Sequence, residues 1–144
     1  MIRELTAQDI PGVQKLLADA PEAPHWSADD LLVALRNNLS LRVAEEHGSI
    51  CGIIVFRTMA DEAEILNLVV ASGVRRQGIG SRLLEEAIRT SKAERAQKIF
   101  LEVRESNEPA RSFYVRRRFI EAGRRREYYR EPVEDALVLF RKIE

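Results

Sequence analysis

The apolar positions of this 144-residue chain change period several times, and each change marks an element. Arg3-Glu4-Leu5 reads as a short opening strand. Thr6-Ala7-Gln8-Asp9 is a helix-start signal, after which Ile10, Val13, Leu16 and Leu17 recur at helical spacing. Asp19 to Pro24 is a turn rich in proline and acid, and Ser27-Ala28-Asp29-Asp30 opens a second helix with Leu31, Leu32 and Leu35 on its apolar side. Past Asn38 the period falls to two. Leu41 and Val43, then Cys51, Ile53 and Val55, alternate around the turn His47-Gly48-Ser49, the pattern of a hairpin. Glu64 to Val70 is nearly continuous apolar, as in a strand buried on both faces. A helix from about Gly78 to Ala93 follows, with Leu83, Leu84, Ala87 and Ile88 inward, then a strand from Lys98 to Arg104. Asn107 and Pro109 start a short helix bearing Ala110, Phe113 and Tyr114 on one face. Strands from Phe119 to Tyr129 and from Ala136 to Lys142 end the pattern. The order β-α-α-β-β-β-α-β-α-β-β predicts an α/β (α+β) fold, one mixed twisted sheet flanked by helices, with a parallel pair at the central strand–helix–strand.

The length predicts a single domain over 1–144. Met1-Ile2-Arg3-Glu4 already mixes polar and apolar residues, so no signal peptide is expected, and no apolar run approaches the ~20 residues of a membrane span. A cytoplasmic location is expected. The single cysteine, Cys51, lies in an apolar run and reads as a buried thiol. Two histidines and one cysteine at unrelated spacings predict no metal site. The 23 basic and 23 acidic residues cancel, so Arg116-Arg117-Arg118 and Arg124-Arg125-Arg126 read as solvated faces and ion pairs rather than a nucleic-acid surface.

The chemistry concentrates at Val74-Arg75-Arg76-Gln77-Gly78-Ile79-Gly80-Ser81. Glycine lets backbone N–H groups converge, and a helix start adds N–H groups without intrahelical partners and roughly half a positive charge. Together they make an anion site, and phosphate is the usual occupant. The P-loop requires Lys-Ser/Thr after its second glycine, where Ser81-Arg82 stands, and the dinucleotide fingerprint requires a third glycine. A glycine-rich turn shaped only for packing is the plainer alternative.

Arg75-Arg76-Gln77-Gly78-Ile79-Gly80, directly after a strand, resembles the R/Q-x-x-G-x-G/A loop of the GNAT acetyltransferase superfamily. The resemblance covers nearly the whole chain and sharpens toward the RimI-like branch, which acetylates the N-terminal alanine of a ribosomal protein. It is carried by His25-Trp26-Ser27, Ile65 to Val70, Leu101-Glu102-Val103-Arg104 with Ser106-Asn107, Arg125 to Tyr129, and Glu134-Asp135-Ala136. One position departs: Arg118 stands where the family's Tyr-x-x-x-Gly-Phe has glycine.

The resemblance implies acetyl-CoA as co-substrate. It implies a pyrophosphate held by Arg75, Arg76, Gln77, Gly78, Ile79, Gly80 and Ser81, with Asn107 also reaching CoA. A bulge in the preceding strand would expose backbone N–H groups at Leu68, Val69 and Val70 to the thioester oxygen. Glu102 would be the general base and Tyr114 the general acid. On the residues alone, Glu102 points away from Ile99, Leu101 and Val103, so an ion pair with Arg104 or a neighbouring arginine stands beside catalysis as its use; Tyr114 fits core packing equally.

The acceptor is expected to be a protein N-terminus. An α-amine with pKa about 8 is roughly one-tenth neutral at pH 7, against roughly one part in 2,500 for lysine. A small amine, a polyamine or a lysine remains open, as does a non-catalytic CoA sensor. Asp61, Glu62 and Glu64, or Glu131, Glu134 and Asp135, are acids that could receive a basic peptide, and Tyr128 and Tyr129 could grip it.

Overall fold

The computed structural model describes residues 1–20, 26–74 and 77–144. His25 and residues 21–24 of the expected turn lie outside the described residues, as do Arg75 and Arg76.

The elements follow the expected order: β1 (Ile2–Glu4), α1 (Ile10–Ala18) after a 3-10 turn, α2 (Ala28–Arg36), β2 (Ser40–Glu46), β3 (Ser49–Met59), β4 (Glu62–Val70), α3 (Ile79–Ala93), β5 (Lys98–Arg104), α4 (Glu108–Arg116), β6 (Ile120–Tyr129) and β7 (Glu134–Lys142). They build one seven-stranded sheet in the order β1-β2-β3-β4-β5-β7-β6. Among the described residues only β4 and β5 run parallel, joined through α3.

Local chemistry sets the starts. Ser27 and Asp30 cap α2 reciprocally: the Ser27 N–H donates to Asp30 Oδ2 at 2.8 Å, and Ser27 Oγ accepts from the Asp30 N–H at 3.1 Å. Asp9 accepts from the Thr6 N–H at 2.8 Å and from both terminal nitrogens of Arg3 at 2.8 Å. That guanidinium holds the Asp9 carboxyl well below the usual carboxylate range. A depressed carboxyl stabilises the fold fully above its unfolded value near ~4 and loses that contribution as pH falls. Asp9→Asn is therefore expected to cost about 1–2 kcal/mol at pH 7, with the cost beginning to shrink below pH ~4 and still largely present at pH 3, read by urea unfolding at both pH values.

Several boundaries differ from the sequence reading. β1 ends at Glu4, because Leu5 turns inward to the core between the sheet and α1 and α2. β4 begins two residues earlier, at Glu62, where it pairs with Lys98 of β5. β7 begins at Glu134, paired with Tyr129 across the hairpin, and β6 at Ile120, since Phe119 is buried in the turn before it. The expectation that β4 is buried on both faces is corrected. Leu66, Leu68 and Val70 are only half-buried. The parallel register holds for Glu62, Ala63 and Glu64 against Lys98, Ile99 and Phe100, and the strands then part. Val55 of β3 pairs with Asn67 but Phe56 pairs with Ile65, so Leu66 is an inserted residue. Such a bulge bends its strand. It sits where β4 leaves β5 and opens a gap in the middle of the sheet.

Two cores cover the two faces. Ile54, Phe56, Ile99, Leu101 and Val103 pack with α3 and α4, and Val43, Ile53 and Val55 pack with α1 and α2. Cys51 is buried in the first, its thiol donating to the Ala44 carbonyl at 3.4 Å, and burial pushes its pKa up. Arg118 has φ 69°, the left-handed conformation that glycine adopts freely. Arg118→Gly is expected to stabilise the fold by about 1 kcal/mol. It also removes a cation that disfavours the charged form of Arg141, though burial of Arg141 is the larger cause. A raised melting temperature is the readout.

Candidate active site

The gap between β4 and β5 is bordered by the end of β4 and by the second half of β5, which carries Glu102. Ala71 donates to the Cys51 carbonyl at 2.8 Å, so alternation turns the Val69 N–H into the β3 ladder and the Leu68 and Val70 N–H groups toward the gap. α3 begins at the head of the gap. Gly78 is its N-cap with φ 80°, a conformation that favours glycine, and the Arg82 N–H reaches the Gly78 carbonyl at 3.0 Å. The N–H groups of Gly78, Ile79, Gly80 and Ser81 thus precede the first intrahelical bond and point out of the helix start. Ile79 is 2% exposed and fills the core, so only its backbone is offered to a ligand, while Gln77 stands exposed beside the turn.

Gly80 has a different reason to be glycine. A Cβ there would lie 3.2 Å from Phe113 Cε1 and 3.6 Å from Val70 Cγ2. The first turn of α3, the body of α4 and the end of β4 meet at that point. Asn107 caps α4, its side-chain oxygen accepting from the Ala110 N–H at 3.3 Å, which leaves its amide NH2 as a donor. Tyr114 is buried, edge-on to Phe113 at 5.0 Å and to Phe119 at 5.2 Å. Burial pushes its phenol well above the ordinary tyrosine value, an effect that the Arg117 cation partly offsets.

Glu102 lies on the opposite face of β5 from Ile99, Leu101 and Val103, as alternation requires. Its side chain is 15% exposed. Oε1 stands 3.7 Å from Arg125 Nε, and Oε2 is buried with no hydrogen-bond partner among the described residues. A buried acceptor left unpaired is costly, so this oxygen calls for a donor beyond those the described residues supply. The partner of Glu102 is therefore Arg125 and not Arg104. Arg104 pairs with Glu134 at 3.2 Å, donates to the carbonyls of Arg130 and Pro132, and lies 4.4 Å over the Tyr129 ring. The Tyr129 phenol is pushed up first by burial and then by the charge of Glu102. Tyr128 stacks edge-on with Tyr129 at 5.2 Å and sits under Arg125.

The acids do not form one basin. Glu62 and Glu64 are at the start of β4, paired with Lys98 and Arg57. Glu134 and Asp135 are at the other end of β5, roughly 20 Å along the strand. Glu134 accepts from the Ser106 N–H, and Asp135 accepts from the Glu127 N–H and from Arg124, so both carboxyls titrate below their ordinary values. These contacts bind the β6–β7 hairpin to the segment that follows β5. The expected ion pair of Glu102 with Arg104 or a neighbouring arginine is made by the second kind of partner; which arginine it would be depended on the order of the strands. Among the described residues no His, Cys, Asp and Glu cluster could hold a metal ion, and no helix is long and apolar enough to cross a membrane.

Residues 4–119 match the acetyltransferase (GNAT) family. The chain belongs to that family. Over 147 aligned residues it is 31% identical to the [ribosomal protein bS18]-alanine N-acetyltransferase of Haemophilus influenzae, covering 96% of each protein. The crystal structure of the ribosomal-protein-S18-alanine N-acetyltransferase from Escherichia coli superposes with a TM-score of 0.86 at 27% identity, over 100% of this chain and 94% of that one. Ard1 from Thermoplasma volcanium superposes with a TM-score of 0.89 at 26% identity, over 100% and 97%. The seven-stranded sheet with its flanking helices is the GNAT fold, and the chain is a GNAT N-acetyltransferase.

Proposed function

We propose that this enzyme transfers the acetyl group of acetyl-CoA to the α-amine of a protein N-terminus, in the manner of the ribosomal-protein-alanine N-acetyltransferases it is similar to. The observation that carries the reading is the buried Oε2 of Glu102, which has no hydrogen-bond partner among the described residues, on the strand that borders the gap between β4 and β5. An incoming ammonium or a relaying water supplies the missing donor, and the carboxylate takes the proton that must leave the amine before attack.

The remaining residues divide the other tasks. Gln77 and the N–H groups of Gly78, Ile79, Gly80 and Ser81 hold the pyrophosphate at the positive end of α3, with Arg75 and Arg76 adding charge. The Asn107 amide donates to the CoA chain. Acetyl-CoA supplies an acyl group already activated as a thioester, so no metal is required. The Leu68 N–H turns toward the position of the thioester oxygen, in a segment that includes Val69 and Val70; one such donor is often worth ~3 kcal/mol in the transition state. Tyr114 remains protonated across the working range and gives its proton to the departing sulfur. Tyr128 and Tyr129, fixed by the hairpin network, face the acceptor chain. The segregation of the acids to opposite ends of the sheet favours a main-chain amine over a polyamine, which would need converging carboxylates.

The test is tandem mass spectrometry of a ribosomal peptide beginning with alanine and containing an internal lysine, after incubation with enzyme and acetyl-CoA. One acetyl group mapped to the α-amine is expected. Acetylation of the lysine alone contradicts the reading.

A further inference from the structure

An arginine that the loop motif does not include stands beside the pyrophosphate cradle. Arg117 closes α4 as its C-cap. Its Nη1 donates to the Phe113 carbonyl at 2.9 Å, and its guanidinium lies 3.7 Å from the centre of the Phe113 ring. Nε turns the other way and donates to Ser81 Oγ at 3.1 Å, in the opening turn of α3. The same Phe113 ring is the surface on which Gly80 packs. Arg117, Phe113, Gly80 and Ser81 therefore form one contiguous stack at the helix start.

Capping α4 explains Nη1 but not Nε. The guanidinium is half-buried and has no ion-pair partner among the described residues, unlike Arg3, Arg57, Arg104 and Arg124. Its charge is favoured by the negative end of α4, which it caps, and disfavoured by the positive end of the 15-residue α3, which it adjoins; an anion at the start of α3 would relieve the second effect. Ser81 Oγ is used as an acceptor, so its own hydrogen remains to be donated. That hydroxyl lies in the turn whose N–H groups point out of the helix.

We propose that Arg117 is a phosphate-binding determinant of the acetyl-CoA site. It brings fixed positive charge to the cradle and holds the Ser81 hydroxyl as a donor toward the pyrophosphate. The inference rests on the reading of the Gly78–Ser81 turn as that cradle. It makes Arg117 a positioning residue acting through Ser81, distinct from the arginines of the loop itself.

The experiment is calorimetric titration of CoA and of 3′-dephospho-CoA into the wild type, Arg117→Met, Arg117→Lys, Ser81→Ala and the Arg117→Met/Ser81→Ala double variant, with a melting curve for each. Arg117→Met is expected to weaken CoA about tenfold, the scale of one charge-assisted hydrogen bond. Arg117→Lys should recover part of the loss, and Ser81→Ala should add little once Arg117 is gone. The salt dependence of binding should become shallower, and dephospho-CoA should suffer the same loss. CoA binding by Arg117→Met as tight as wild type, whether or not the melting temperature falls, overturns the proposal and makes Arg117 a tether between α3 and α4. A loss confined to CoA and absent with dephospho-CoA also overturns it, because the arginine then serves the 3′-phosphate. Failure of the wild type to bind CoA at all is a different result, which removes the cradle reading and this inference with it.

Discussion

Glu102→Gln is expected to lower kcat/KM for the acceptor by about 10²–10³-fold while leaving the KM for acetyl-CoA within about twofold. The substitution keeps the size of the side chain and removes only its ability to take a proton. The Arg125 contact at 3.7 Å is largely exposed on the arginine side, so its loss changes stability by less than ~1 kcal/mol. A structural ion pair would give the opposite pattern, with altered melting and unchanged turnover. Steady-state kinetics and thermal melting on the same preparation separate the two.

Tyr114→Phe carries the second large effect. The ring lies edge-on to Phe113 and Phe119, and phenylalanine preserves both contacts, so the fold is expected to survive within ~1 kcal/mol. What disappears is the proton for the thiolate. The expected result is a fall in kcat of about 10²-fold with little change in either KM. Burial raises the phenol of Tyr114, so its protonated form persists to higher pH than in a free tyrosine. Wild-type kcat should therefore show no alkaline loss from this group below pH ~10. A residue serving only as core would leave kcat unchanged on removal of the hydroxyl.

Much of this arrangement was legible in local sequence because local chemistry specifies it. Reciprocal Ser27–Asp30 capping, the Asn107 cap, the hairpin turn at His47-Gly48 and the alternation along Lys98–Arg104 all depend on neighbours within a few residues. The left-handed backbone at Arg118 was legible too, from the glycine that the family pattern carries there. The rest depends on pairings between distant segments. β7 lies between β5 and β6, and only that order brings Arg125 near Glu102 and Tyr129 under Arg104. The bulge sits at Leu66, a position that reads as one more apolar residue in a continuous run. Arg117 is hidden in a run of three arginines, and nothing in the run says which of them turns toward Ser81.

The arginine runs acquire separate uses in the folded chain. Arg124 binds Glu105 and Asp135, Arg125 faces Glu102, and Arg117 joins α4 to α3. Within the two runs, Arg124 and Arg125 are thus taken up by carboxylates and Arg117 by a contact between two helices.

Acetyl transfer from acetyl-CoA to an N-terminal α-amine frees one CoA thiol per turnover. The most direct measurement is the release of free CoA thiol in the presence of an alanine-starting ribosomal peptide and of its N-terminally blocked twin. Rapid release is expected with the free peptide and background release with the blocked one. Equal release with both peptides, or background release with both despite tight CoA binding, would rule out transfer to the N-terminal amine.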